Sequence, residues 1–178
     1  KFKLLVFDWD GTLMDSAAAI AESLQAACTE LDLPVPSMTQ ARYVIGLGLT
    51  DALKYILPDL PRTDYAKVVD RYREHFLRRD GGTTLFPDAA AMISDLHDAG
   101  FLLAVATGKS RRGLDRALAA TGVGEYFHVT RCADEGFCKP HPGMLQAVME
   151  SLTATPACTL MIGDTTHDLE MAQAAGVA

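Results

Sequence analysis

"KLLVFDWDGTLMDS" (Lys3–Ser16) sets a short apolar run, Leu4 to Phe7, directly against two carboxylates, Asp8 and Asp10. Gly11 and Thr12 follow at once. The run reads as a buried strand, and the acids stand at its mouth. Nothing about stability recommends that placement. Burial penalises each charge, and like charges at close range repel. Two residues apart on an extended strand end, both side chains face the same side. A cation is therefore expected between them.

Outward from this stretch the pattern changes twice. From Asp15 to about Leu31, Ala17, Ile20, Ala21, Leu24 and Ala27 recur at helical spacing. "DLPVPS" breaks the pattern. Residues 38–57 read as helix, a turn at "GLGL", and helix again. "LPDLPRTD" is a loop, Tyr65 to Arg79 a charged amphipathic helix, and "DGGTTLFPD" a strong break. After Pro87, helices alternate with apolar strands. Helices are expected at Ala89–Ala99, Arg112–Thr121, Pro142–Leu152 and Thr166–Ala175. Strands are expected in "FLLAVAT", "YFHVTRC" and "CTLMIGD". Alternation of this kind predicts a parallel sheet with right-handed crossovers. The wholly helical block falls between the first strand and the rest, so it reads as an insertion. The expected fold is α/β: a Rossmann-like three-layer core from residues 1–14 and 83–178, with a small helical cap over 15–82. A further strand is due after Gly176.

The 178 residues suit one domain with a modest insertion, and 49% hydrophobic residues allow a sizeable core. A formal net charge of −7 argues against a nucleic-acid partner or an anionic membrane surface. No apolar run approaches the ~18 residues of a membrane span, and no signal peptide is evident. Cys28, Cys132, Cys138 and Cys158 form no zinc-type spacing. They are expected as reduced thiols in a cytoplasmic protein, although Cys132 and Cys138 are close enough in sequence to bridge. A monomer or weak homodimer is expected.

In open parallel sheets, ligands bind beyond the carboxyl ends of the strands. Asp8, Asp10, Gly11 and Thr12 follow the first strand. Thr107, Gly108, Lys109 and Ser110 follow "FLLAVA". The short strand leads through Asp134 and Glu135 to Lys139, Pro140 and His141. Asp164, Thr165, Thr166, His167 and Asp168 follow "TLMIG". A few carboxylates with open positions suit Mg2+ acting together with a phosphate. Lys139, Thr107 and the backbone of Gly11 add donors for an anion.

These residues also carry a resemblance. "DWDGT", "VATGK", "CKPHP" and "GDTTHD" resemble, in order and over essentially the whole chain, the four motifs of the haloacid dehalogenase-like hydrolase superfamily. The closest branch is the phosphoglycolate-phosphatase-like one. The resemblance implies roles for individual residues. Asp8 would be the nucleophile that forms an aspartyl-phosphate. Asp10 would be general acid and then base, with its backbone carbonyl on Mg2+. Thr107, Gly108 and Lys139 would hold the phosphoryl group. Asp164 would bind Mg2+, and Asp168 would orient a metal-bound water. Gly46 and Gly48, in the cap turn, would line the substrate, and Arg42 one turn earlier would reach its distal group. The implied activity is Mg2+-dependent hydrolysis of a small phosphorylated metabolite.

Blander readings compete at several positions. Thr107 and Asp164 are also plausible helix N-caps, and Asp168 is also a charge complementing a helix dipole. His141 and His167 read as structural. Trp9 is expected to point away from the acids and pack. A phosphomutase would share the Asp pair, and a non-catalytic binding protein would share the fold. A dehalogenase is disfavoured, because family dehalogenases lack the second Asp.

Overall fold

Alternate residues of an apolar strand face opposite sides of its sheet, and both sides then need a helical cover. The computed structural model describes residues 1–80 and 82–178, and it meets that need with four strands. These are β1 (Leu4–Phe7), β2 (Leu102–Thr107), β3 (Val129–Cys132) and β4 (Thr159–Ile162). All pairings are parallel, in the order β3-β2-β1-β4. Leu4, Val6, Ala104 and Ala106 face α7 (Gly143–Ser151) and α8 (Thr166–Ala175), through Leu145, Val148 and Met171. Leu5, Phe7, Leu103 and Val105 face the other way, onto Ile93 of α5 (Ala89–Asp98) and Leu114 of α6 (Arg111–Thr121). The result is the expected three-layer Rossmann-like core.

From β1 the chain builds outward through β2 and β3, then crosses back to place β4 on the other side of β1. The strand order reverses between β1 and β4. Loops leaving the two strands there diverge and open a crevice at their carboxyl ends. Asp8 and Asp164 stand at that crevice.

Among the described residues, α1 (Ala17–Glu30), α2 (Met38–Tyr43), α3 (Leu49–Ile56) and α4 (Tyr65–Asp80) follow β1, before α5 leads into β2. They share an apolar cluster of their own, including Leu24, Cys28, Ala41, Leu53, Leu57 and Val68. His75 of α4 also lies 2.7 Å from Glu30 of α1. The two connections to the core run side by side. The Asp15 N–H donates to the Thr84 carbonyl, and the Phe86 N–H to the Leu13 carbonyl, each at 2.9 Å. Gly81, within the expected break, lies outside the described residues.

Two element boundaries moved for local reasons. Helix α6 begins at Arg111, because the Ser110 hydroxyl caps it by accepting the Gly113 N–H at 3.3 Å. The strand expected in "YFHVTRC" starts only at Val129, because Gly124–Tyr126 forms a 3-10 turn. All four cysteines are free, Cys132 and Cys138 included. Beyond α8 the Met161 N–H donates to the Ala178 carbonyl at 2.9 Å, so the chain returns along the outer edge of β4. Among the described residues, no helix is long and apolar enough to cross a membrane.

Candidate active site

Asp8 is the first residue beyond β1, and its N–H donates to the Ile162 carbonyl of β4 at 2.9 Å. Its side chain is fully buried. Lys139, equally buried, brings its ammonium within 2.7 Å of Asp8 Oδ1 and 2.6 Å of Asp168 Oδ1. These contacts are short charge pairs, with one ammonium held between two carboxylates. Asp8 Oδ2 has no hydrogen-bond partner among the described residues. Burial pushes the Asp8 carboxyl up to about 6, against the pull of Lys139. Burial alone would push the Lys139 ammonium down, but Asp8 and Asp168 together hold it above the ordinary lysine value.

Asp10, only 6% exposed, has a different set of partners. Its Oδ1 accepts from the Ser16 hydroxyl at 2.7 Å, and Lys109 Nζ sits 2.7 and 2.9 Å from its two oxygens. The two acids of the opening stretch thus each face a lysine of their own. Lys109 was visible in "VATGK" but carried no assigned role, because 99 positions separate it from Asp10. Trp9, between the acids, is fully buried on the opposite side, edge-on to Phe127 at 6.4 Å.

Thr107 ends β2, buried, and its hydroxyl accepts the Lys109 N–H at 3.1 Å. Ser110 caps α6, so Thr107 is not the cap. Gly11 takes a φ of +85°, and a Cβ there would run into the Asp164 carboxylate. Its N–H donates to the Met14 carbonyl at 2.9 Å. That corrects its reading as an anion donor: the glycine instead lets the loop pass beneath Asp164. Thr12 Oγ1 donates to Asp164 Oδ1 at 2.9 Å. Asp164 does not cap α8 either. Thr165 does, in a capping box whose other half is Asp168 Oδ2, held at 3.1 Å from Thr165 N and 2.7 Å from Thr165 Oγ1. Asp168 therefore combines the helix-end role with its pairing to Lys139.

Asp8, Asp164 and Asp168 each offer an oxygen within 4.8 Å of the others. An all-carboxylate donor set with one orphaned buried oxygen fits a hard divalent cation such as Mg2+. The Asp10 side chain lies outside this trio, which leaves only its backbone carbonyl for the metal role.

The cap meets the crevice through the turn joining α2 and α3. A Cβ on Gly108 would strike the carbonyl groups of Gly46 and Leu47. Gly46 packs on Thr165, and Gly48 on Cys138, the neighbour of Lys139. His167 Nε2 donates to the Tyr43 carbonyl at 2.9 Å, so this histidine ties the cap to α8. His141 stacks on Phe137 at 3.9 Å, out on the surface. Arg42 is a correction: it lies exposed near the end of α2, while the adjacent Ala41 turns inward. It sits in the last helical turn, where a cation complements the dipole.

The chain matches the family model described as haloacid dehalogenase-like hydrolase over residues 5–178. It is 38% identical over 182 residues to a Dickeya dadantii protein named Probable phosphatase IndB, covering 98% of this chain and 78% of that one. A Pectobacterium atrosepticum phosphoglycolate phosphatase is 30% identical over 178 residues, with 97% and 76% covered. The solved structure of a haloacid dehalogenase-like hydrolase from Bacteroides fragilis superposes with a TM-score of 0.89, covering 100% of this chain and 86% of that one. At 24% identity that likeness concerns the fold alone. On the length and identity of these matches, the chain belongs to the haloacid dehalogenase-like hydrolase family.

Proposed function

We propose that the chain is a Mg2+-dependent phosphatase that hydrolyses small phosphate monoesters through an aspartyl-phosphate on Asp8. The observation that carries this reading is Asp8 Oδ2, a buried carboxylate oxygen without a hydrogen-bond partner, on a carboxylate grouped with Lys139, Asp164 and Asp168. Asp8 attacks phosphorus, and the ester oxygen leaves with a proton from Asp10. Asp10 then takes a proton from water, the water oxygen attacks phosphorus, and the bond between Asp8 and phosphorus breaks to release inorganic phosphate. Lys139 and Thr107 hold the phosphoryl oxygens, and Lys139 balances charge as it builds up in the transition state. Mg2+, held by Asp8, Asp164 and the Asp10 backbone carbonyl with Asp168 behind, would neutralise the phosphoryl charge. Unpaired cysteines fit a reducing compartment, and we place the protein in the cytoplasm.

The test is release of inorganic phosphate from p-nitrophenyl phosphate. Chelation is expected to abolish it, and added Mg2+ to restore it. Asp8→Asn is expected to lose about 10⁴-fold in rate, as removal of a nucleophile commonly does. Acid-quenched wild-type protein should carry one phosphoryl group by intact mass, and the variant none. Near-normal turnover by Asp8→Asn would remove Asp8 from its role.

A further inference from the structure

Between cap and core lies a cavity of about 110 Å³ that reaches Asp10. Its walls are mostly cap side chains: Ile20, Leu24, Val44, Leu47, Tyr72 and Phe76. Arg73 and Arg116, both exposed, border it on the solvent side. Lys109 lies at the Asp10 end, its ammonium matched by the Asp10 carboxylate and resting 4.9 Å from the centre of the Phe76 ring. Ile20 is half-buried, yet it belongs to none of the three apolar clusters of the described residues. Its side chain serves the cavity rather than the cap's own core.

The place of this cavity follows from the chemistry, and so rests on the phosphatase reading. A general acid must stand at the leaving oxygen. The phosphoryl group lies on the Asp8 and Lys139 side of Asp10, so the alcohol extends to the other side, where the cavity begins. Apolar walls stabilise an apolar body along the middle of the cavity, while its cationic groups stand at the two ends, Lys109 beside Asp10 and Arg73 and Arg116 on the solvent side. At roughly 10–15 Å³ per water-sized group, the space admits about seven to eleven non-hydrogen atoms. We propose that the ester hydrolysed here carries a largely apolar alcohol of that size, rather than the short carboxylate body of phosphoglycolate.

The test is kcat/KM for n-alkyl phosphates from methyl to decyl, beside phosphoglycolate. The alcohols differ little as leaving groups, so chain length reports burial. Each buried methylene is worth about fourfold. The expected result is a rise of about three- to fourfold per carbon until the cavity fills, with hexyl phosphate ahead of phosphoglycolate. Ile20→Asn is expected to lower the ratio of hexyl to ethyl phosphate several-fold. A flat series, or phosphoglycolate as the best substrate, would overturn the proposal. The affinities of n-alkylphosphonates, which are not hydrolysed, separate this proposal from the phosphatase reading. Affinity that rises with length without turnover of any ester supports the cavity and rejects the phosphatase. Length-independent affinity rejects the cavity whatever the turnover.

Discussion

Lys139 carries one positive charge between two buried acids, Asp8 and Asp168. Burial, with Asp168 adding to it against the pull of Lys139, raises the Asp8 carboxyl from its ordinary 3.8 to about 6. A raised carboxyl value means that the folded protein prefers Asp8 protonated. Its contribution to stability is full below pH 3.8 and is lost as pH rises through about 6. At neutral pH, without a cation, ionised Asp8 is therefore a destabilising group, by at most about 3 kcal/mol. Asp8→Asn removes that charge and leaves Lys139 paired with Asp168. In chelator at pH 7 the variant is expected to melt several degrees above wild type. The gap should close as pH falls from about 6 towards 4, and Mg2+ should narrow it from the wild-type side. An asparagine variant that melts lower at pH 7 would show that burial is not the dominant influence on Asp8. Asp8 and Asp164 were legible in the sequence because each stands within two residues of the end of an apolar strand, and Lys139, seven residues beyond β3, through the "CKPHP" motif. The Asp10–Lys109 pair and the Ser16 contact were not, because pairing across the crevice leaves no periodic trace. Arg42 misled for the opposite reason: a cation one turn from a glycine turn looks purposeful until the helix face is known.

Among elements, the turn between α2 and α3 does the most for the site. It touches the loop after β2 at Gly108, the approach to Lys139 at Cys138, and the start of α8 at Thr165. Gly108 and Gly46 meet backbone to backbone, where no side chain can yield. Gly108→Ala is thus expected to displace the whole turn, and the apolar wall that Leu47 and Val44 offer with it. A displacement of about 1 Å at such a site commonly costs on the order of 10²-fold in rate. We expect kcat/KM to fall by about that factor while the melting temperature moves little, since the core beneath keeps its packing. Unchanged kinetics would mean that the turn does not need its present seat. Helices and strands themselves were readable from alternation and period. The boundaries that moved, at Arg111 and Val129, were set by a serine cap and a 3-10 turn. The seating of the turn depends on three loops distant in sequence, and so lay beyond any local pattern.

At the scale of the molecule, the strand order β3-β2-β1-β4 gathers the ends of separate strands at one crevice, and the helical block folds over it. Alternation in the sequence was enough to foresee a parallel sheet and an inserted helical block; the strand order and the cavity under the helices were not legible, since the cavity's walls come from α1, α4 and the cap turn together. The cavity also bears on the fate of a phosphorylated Asp8. It is bordered by exposed Arg73 and Arg116, and so communicates with solvent on the side where the alcohol departs. A mutase must keep water out and hold a sugar phosphate for a second transfer. The walls nearest Asp10 are largely apolar side chains, and once the alcohol has left, water can reach Asp10 from the side that Arg73 and Arg116 border. Turnover in ¹⁸O-labelled water should therefore place one labelled oxygen in each inorganic phosphate released, in step with free alcohol. Asp8 should stay unlabelled over many turnovers, because water attacks phosphorus and the carboxylate departs with both its own oxygens. Label accumulating in Asp8 would instead mean attack at the carboxyl carbon. Conversion of one sugar phosphate into its isomer with little inorganic phosphate would mean that the cap excludes water after all.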